Sequence, residues 1–284
     1  MKIADPGSAV VRAATNGDLA ALDALLAAIQ PGVFNLAVRM LGNRDDAADA
    51  AQEILLRIVT HLSAFRGDAA FTTWVFQVAR NHLLTALTRS KESPEVSLEA
   101  IADHLREGLA FGAGLGEDGH SAPILTPEDK AAARQVALRC TQGMLMALDR
   151  EQRLAYVLDA VFGLPSQQAA AVLGIRPDAF RQRLSRARAR LDAFASGTCG
   201  LVNPAATCRC ERQLPAVRHL RASGAAPAAA VSAIHRVELD EAERQFDTFV
   251  KLGDAAALMR AHPAYLAPEA MLGAIRAVLH AGGF

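Results

Sequence analysis

Residues 164–191 read LPSQQAAAVLGIRPDAFRQRLSRARARL, and this stretch decides the fold. Pro165-Ser166 opens a short helix with Ser166 as its cap, and Gly174 supplies a tight turn. Pro177 then starts a longer helix. Its apolar residues Phe180, Leu184, Ala187 and Leu191 are spaced four, three and four, so they share one buried face. The remaining sides carry Arg181, Gln182, Arg183, Ser185, Arg186, Arg188 and Arg190. A short helix, a glycine turn and a basic second helix form a helix-turn-helix, which lays its second helix in a DNA major groove. Arginine and glutamine can read base edges there while the other arginines hold phosphates; the competing reading is an Arg-rich amphipathic helix that is only a solvated surface.

The rest of the chain speaks the same helical language. LDREQRLAYVLDAVFGL (148–164) reads as one amphipathic helix ending near Gly163. Hydrophobic residues make up 51% of the 284, which excludes a mostly disordered chain, and aromatics only 5%. Alanine dominates the apolar set and no segment alternates like a strand, so the expected class is all-α. Lys+Arg and Asp+Glu are both 30, which excludes a uniformly basic coat but not a local basic patch. Four cysteines are too few for a disulfide-built secreted scaffold. Asp5, Pro6, Asp18 and Asp23 interrupt the first thirty residues, so no signal peptide is expected. No apolar run approaches the ~18–20 residues of a bilayer span. A cytoplasmic protein without a membrane partner is expected.

Moving outward, residues 8–30 form a helical stretch ending at Pro31-Gly32, and 33–41 another ending at Gly42. Asn43 can cap a helix running to about Phe65, with Asp45 and Asp46 in its first turn. A further helix covers about 71–90. Residues 92–129 then hold nine acids (Glu92, Glu95, Glu99, Asp103, Glu107, Glu117, Asp118, Glu128, Asp129) against Arg106 alone, with glycines crowding the middle. This reads as a flexible acidic linker with one short helix at 97–109. Thr126-Pro127-Glu128-Asp129 is a helix start. The sequence thus divides into 8–91, a linker 92–126, a second helical unit 127–195 and an extension 196–284. Helices at about 237–251 and 268–280 close the chain.

Two segments carry further chemistry. Asp45, Asp46, Asp49, Gln52 and Glu53 fall at helical spacings of three and four and share a face, opposite Ile54, Leu55, Ile58, Val59 and Leu62. Such a face is either a solvated helix surface or a dock for a basic partner helix. FTTWVFQVARNHLLTALTRSK (71–91) mixes Phe71, Trp74 and Phe76 with Arg80, Asn81, His82, Arg89 and Lys91. Aromatic faces stack on unpaired bases and cations hold phosphates, which suits single-stranded nucleic acid. The competing reading places Trp74, Val75, Val78 and Leu83 in a core with a basic rim.

Taken in order, these pieces resemble the extracytoplasmic-function (ECF) group of bacterial RNA polymerase sigma factors. DDAADAAQEILLRI (45–58) is similar to the family's polymerase-docking motif. FRGDAAFTTWVFQVARNHLLTALTR (65–89) is similar to its promoter-melting, minus-ten-reading segment. Residues 164–191 resemble its minus-thirty-five-reading helix-turn-helix, and the match spans about 8–195. The resemblance implies a non-enzymatic initiation factor whose partners are core RNA polymerase (the β′ clamp helices and the β flap) and promoter DNA. It would place Asp46, Asp49, Gln52 and Glu53 against the clamp helices. Trp74, Arg80, Asn81 and Arg89 would meet the opened minus-ten element. Arg181, Gln182, Arg183, Ser185 and Arg186 would contact the minus-thirty-five element. The linker would thread toward the active-site and RNA-exit path. Two positions depart from the family pattern: Thr85 stands where Asp is frequent, and Arg176 stands where a Ser or Thr cap is usual. The alternative is a stand-alone helix-turn-helix regulator, metal- or redox-responsive, which would need neither the acidic face nor the Trp74 segment.

The extension opens with TCGLVNPAATCRCERQ. Cys199, Cys208 and Cys210, with His219 nine residues on, supply the donors of a tetrahedral zinc site. A redox-active thiol set and a purely structural role stay open beside it. Cys140, among Val136, Met144 and Leu145, reads as a small buried hydrophobe. Apolar stripes at Ala242, Phe246, Phe249 and Val250 and at Leu272, Ile275 and Leu279 each need a cover. The extension itself, the sigma body or a separate protein such as an anti-sigma factor could supply it, so self-regulation is among the expectations.

Overall fold

A computed structural model describes residues 1–89, 97–115, 125–223, 254–260, 262–268 and 270–281; for residues 88, 89 and 278–281 it describes the backbone alone. Every regular element among them is helical, as expected. The helices are α1 (Ser8–Thr15), α2 (Leu19–Leu41), α3 (Arg44–Thr60), α4 (Phe71–Arg89), α5 (Leu98–Gly114), α6 (Pro127–Met146), α7 (Arg150–Tyr156), α8 (Ser166–Leu173), α9 (Pro177–Thr198), α10 (Leu214–Ala222), α11 (Ala255–Arg260) and α12 (Ala270–Ala281). The expected helix at 237–251 lies outside the described residues.

Two compact units divide these elements. The first gathers residues 1–91, 150–184 and 264–284. In it α2 is the central helix, packed on α1, α3 and α4, with Leu25, Ile29, Val33, Phe34, Leu36 and Met40 fully buried. The sequence pattern splits this helix at Pro31-Gly32; instead the break falls earlier, at Gly17, and Asp18 caps α2 by accepting from the Ala21 N–H at 3.0 Å. An interior proline costs roughly 3 kcal/mol in an exposed helix. Here burial of the whole surrounding face outweighs that cost. Gly32 is needed for closeness: a Cβ there would stand 2.8 Å from the Ile3 Cα. By length and composition α2 would also suit a bilayer, but its apolar side chains are spent on this core.

Asn43 caps α3 as the sequence predicts, accepting from the N–H groups of Asp45 (2.8 Å) and Asp46 (3.3 Å). Gly42 before it takes the left-handed conformation (φ 72°) that ends α2. The 148–164 stretch is not one regular helix: α7 gives way to a π turn over Val157–Val161. Ser166 is the first residue of α8 rather than its cap, a position held by Pro165 with no side-chain bond. Gly174 (φ 63°) makes the turn into α9, whose face Phe180, Leu184, Ala187 and Leu191 is buried.

The second unit gathers residues 92–149 and 185–263. Its α5 is a full 17-residue helix, longer than the short helix expected inside a flexible linker. Ser97 caps it, accepting from the Ala100 N–H at 3.0 Å. Gly108, one of the glycines that suggest flexibility in the sequence, serves close packing instead. A Cβ on Gly108 would overlap the Gln213 side chain, whose Nε2 donates to the Leu105 carbonyl at 2.9 Å. Thr126 and Asp129 form the predicted capping box of α6.

Candidate polymerase and promoter surfaces

The back of α3 is buried through Ala47, Ala51, Ile54, Leu55 and Ile58, which fixes its other side outward. Asp46 and Asp49 are exposed or half-buried, as are Gln52 and Glu53. Glu53 pairs with Arg57 at 3.0 Å, so part of its charge is balanced locally. The sequence-predicted acidic face is therefore assembled on one helix.

On α4, Val75, Ala79 and Leu83 are buried and anchor the helix. Trp74 is half-buried, its ring 5.7 Å from both Phe65 and Phe71. Asn81 is exposed. Arg80 is half-buried beside Gly174, and its Nε has no hydrogen-bond partner among the described residues. The Arg89 side chain lies outside the described residues. The opposite flank of α4 packs on the helix-turn-helix: Gln77 donates to the Ala171 carbonyl and Gln168 to the Thr73 hydroxyl, both at 3.0 Å. Phe76 and Phe162 meet edge-to-face at 5.3 Å.

On α9, Arg181, Gln182, Ser185 and Arg186 are exposed. Arg183 differs from its neighbours, being half-buried and paired with Glu151 at 2.7 Å. Arg176, before the helix, pairs with Asp178 at 3.1 Å.

Sequence reasoning misses one surface of the first unit. Asn35 and Arg39, each 1% exposed, lie one turn apart on α2. Asn35 donates to the Tyr265 carbonyl and accepts from the Tyr265 N–H, both at 2.8 Å. The Arg39 guanidinium lies 5.3 Å from the Tyr265 ring centre. Burial pulls Arg39 down to about 10 and pushes Tyr265 up to about 12, so at neutral pH one is charged and the other is not. Arg44 donates to the Leu266 carbonyl at 2.6 Å, and Arg276 pairs with Asp23 at 2.8 Å. Beyond Tyr265, α12 packs on α3 with Ile275 fully buried. The signal available is an amide and a cation inside the apolar run VFNLAVRM (33–40), since buried polar groups demand partners.

In the second unit Cys199, Cys208 and Cys210 line one cavity, but His219 does not join them. It is exposed on α10 and stacks on Phe111 with ring centres 4.7 Å apart. Cys140 from α6, among Val136, Ala137 and Met144, lines the cavity with the other three cysteines. Burial pushes the thiols of Cys140, Cys208 and Cys210 up, away from the low-pKa thiolates of peroxide sensors. As the side chains stand, no three His, Cys, Asp or Glu among the described residues are placed to hold a metal ion.

Comparison with known proteins places these surfaces in a class. Residues 25–92 match sigma-70 region 2, and residues 138–191 match sigma-70 region 4. The chain is 27% identical over 187 residues to the RNA polymerase sigma-H factor of Pseudomonas aeruginosa, covering 64% of this chain and 90% of that one. It is 27% identical over 184 residues to the ECF RNA polymerase sigma-E factors of Escherichia coli K12 and Salmonella typhimurium LT2, covering 64% of this chain and 91% of each. The chain is a sigma-70 family sigma factor of the extracytoplasmic-function group. It is a DNA-binding transcription initiation factor that directs RNA polymerase to promoters, and its partners are the core enzyme and promoter DNA.

Proposed function

We propose that this sigma factor docks on the β′ clamp helices through Asp46, Asp49, Gln52 and Glu53 of α3, acting in the cytoplasm where core polymerase meets the promoter. The observation that supports this most directly is the acid flank of α3, turned outward by a fully apolar back. Charge complementarity then sets register with a basic partner. Trp74, Arg80, Asn81 and Arg89 take the opened minus-ten strand by stacking and phosphate contact. Arg181, Gln182, Ser185 and Arg186 read the minus-thirty-five element, with Arg183 joining once it leaves Glu151; the β flap is the remaining polymerase contact. Asp49→Arg with Glu53→Arg should abolish core binding, because like charges brought together cost several kcal/mol. The same variant should still bind a minus-thirty-five duplex. Unaltered capture of core polymerase would refute the docking assignment.

We further propose that α12, which packs on α3, limits the access of polymerase to that helix. Helices pack with axes about 8–10 Å apart. With α12 beside α3, a partner helix is excluded from the side of α3 that α12 occupies, while Asp46 and Asp49 stay exposed. On this reading α12 would do within one chain what an anti-sigma factor does between two, and its release would ready α3 for polymerase.

A further inference from the structure

All four cysteines of the chain line one cavity of about 30 Å³ in the second unit. They arrive from separate places: Cys140 from within α6, Cys199 from the residue after α9, and Cys208 and Cys210 from the loop leading toward α10. Among the described residues, no carboxylate or imidazole lines the cavity with them.

The loop between the thiols spends its polar groups on fixing their positions. Cys199 and Cys208 pair as a backbone bridge, and Gly200 N–H donates to the Cys208 carbonyl at 2.9 Å. Val202 and Asn203 both donate their N–H to the Cys199 carbonyl, at 3.1 and 2.9 Å. The Asn203 side chain closes the loop, donating to the Ser196 carbonyl at 2.8 Å and accepting from Ala205 N–H at 3.0 Å. Arg209 donates to the carbonyls of Pro204 (2.8 Å) and Cys208 (3.0 Å). A loop without helix or sheet, held this tightly around two cysteines, is built for what the cysteines do together.

We propose that Cys140, Cys199, Cys208 and Cys210 bind one zinc ion. Four sulfur donors without oxygen or nitrogen are the donor set of closed, structural zinc sites. The cavity exceeds the room that one water-sized occupant needs. The sulfurs do not yet surround a point. Coordination at ~2.3 Å turns them into the cavity they already line. Each thiol gives its proton to solvent and an electron pair to the metal, so four protons leave and the site carries two net negative charges. The Arg209 guanidinium, held at the Cys208 carbonyl, offsets part of that charge. The ion would tie α6 to the C-terminal end of α9, the helix whose other half carries Arg181 and Gln182.

The test uses the full chain. Protein purified anaerobically from zinc-supplemented medium should hold one zinc per chain by elemental analysis. After chelator treatment, Co²⁺ should restore a tetrahedral d–d spectrum with thiolate charge-transfer bands. Cys140→Ser should weaken zinc binding by at least the ~10–100-fold that a lost supporting group costs, whereas His219→Ala should leave it unchanged. A measurement on the unaltered chain guards against misfolded variants: zinc should protect all four thiols from an aromatic disulfide reagent, and the chelator should expose them. Absence of zinc, loss of binding in His219→Ala but not in Cys140→Ser, thiols equally reactive with and without zinc, or an iron–sulfur cluster in place of zinc would each overturn the assignment.

Discussion

At Gly200 a single hydrogen separates a working turn from a collision. A Cβ there would overlap the Arg209 guanidinium and stand 2.5 Å from the Cys208 carbonyl oxygen. The guanidinium is the end of a flexible chain, but the carbonyl belongs to the bridge with Cys199. Gly200→Ala should therefore destabilise the second unit by about 1–3 kcal/mol, the usual cost of forcing a group into a packed site. A lowered thermal midpoint checks this, and an unchanged midpoint would mean that the loop is softer than its hydrogen bonds imply. Residues of this kind mark the limit of what the sequence reveals. The outward set on α9 is legible, because a four-three-four apolar stripe leaves little choice about which side faces water. The pairing of Arg183 with Glu151 is not, because an ion pair between residues 32 positions apart leaves no periodic trace. For the same reason the sequence groups the cysteine cluster with its neighbour His219, while the fold brings in Cys140 from 59 residues before Cys199.

At the scale of elements, propensity rules fail where tertiary packing overrides them. Pro31 in α2 and Gly108 in α5 both look like breaks, and both sit inside helices, Pro31 within a buried stretch and Gly108 against the Gln213 side chain. Caps written in local sequence, at Asn43 and Thr126, are legible because the donors they satisfy lie two or three residues away. The docking of α12 is half legible: its apolar stripe announces a buried face without naming the cover. That cover is α3 in the first unit, and Ile275 is fully buried. Ile275→Asp places a charge where it has no water, which a free α12 avoids by leaving. Core polymerase should then bind roughly tenfold or more tightly, as expected when ~1.4 kcal/mol or more of competition is removed. Adding Asp49→Arg and Glu53→Arg to this variant should abolish the gain. If hydrogen exchange shows α12 released while polymerase affinity stays the same, the segment is a structural brace and not a competitor.

For the whole molecule, the two promoter readers constrain each other. Elements centred near minus ten and minus thirty-five lie about 25 base pairs apart, or roughly 85 Å along B-form DNA at 3.4 Å per pair. In the first unit, however, α4 and α8 are joined at side-chain distance by Gln77, Gln168 and the Phe76–Phe162 pair. If α4 and α9 read the two elements at once, as proposed above, these helices must part, and the described arrangement, in which Arg80 lies beside Gly174, would be the closed one. Gln77→Ala with Gln168→Ala removes two hydrogen bonds worth about 0.5–1.5 kcal/mol each and leaves both hydrophobic cores intact. The loss of ~1–3 kcal/mol shifts the balance toward the open form by about 5–150-fold. Fluorescence anisotropy should then find the free double variant binding a fragment that carries both elements, with the minus-ten strand unpaired, more tightly than the unaltered chain by up to that factor, while a minus-thirty-five duplex alone, whose reading residues on α9 are already exposed, binds equally. Its salt dependence should be the same, since the phosphate contacts of α9 are untouched. Energy transfer between dyes on α4 and α8 should fall in parallel. If the dyes separate but DNA affinity does not rise, closure does not gate promoter recognition. If neither changes, the two glutamines do not hold the helices together.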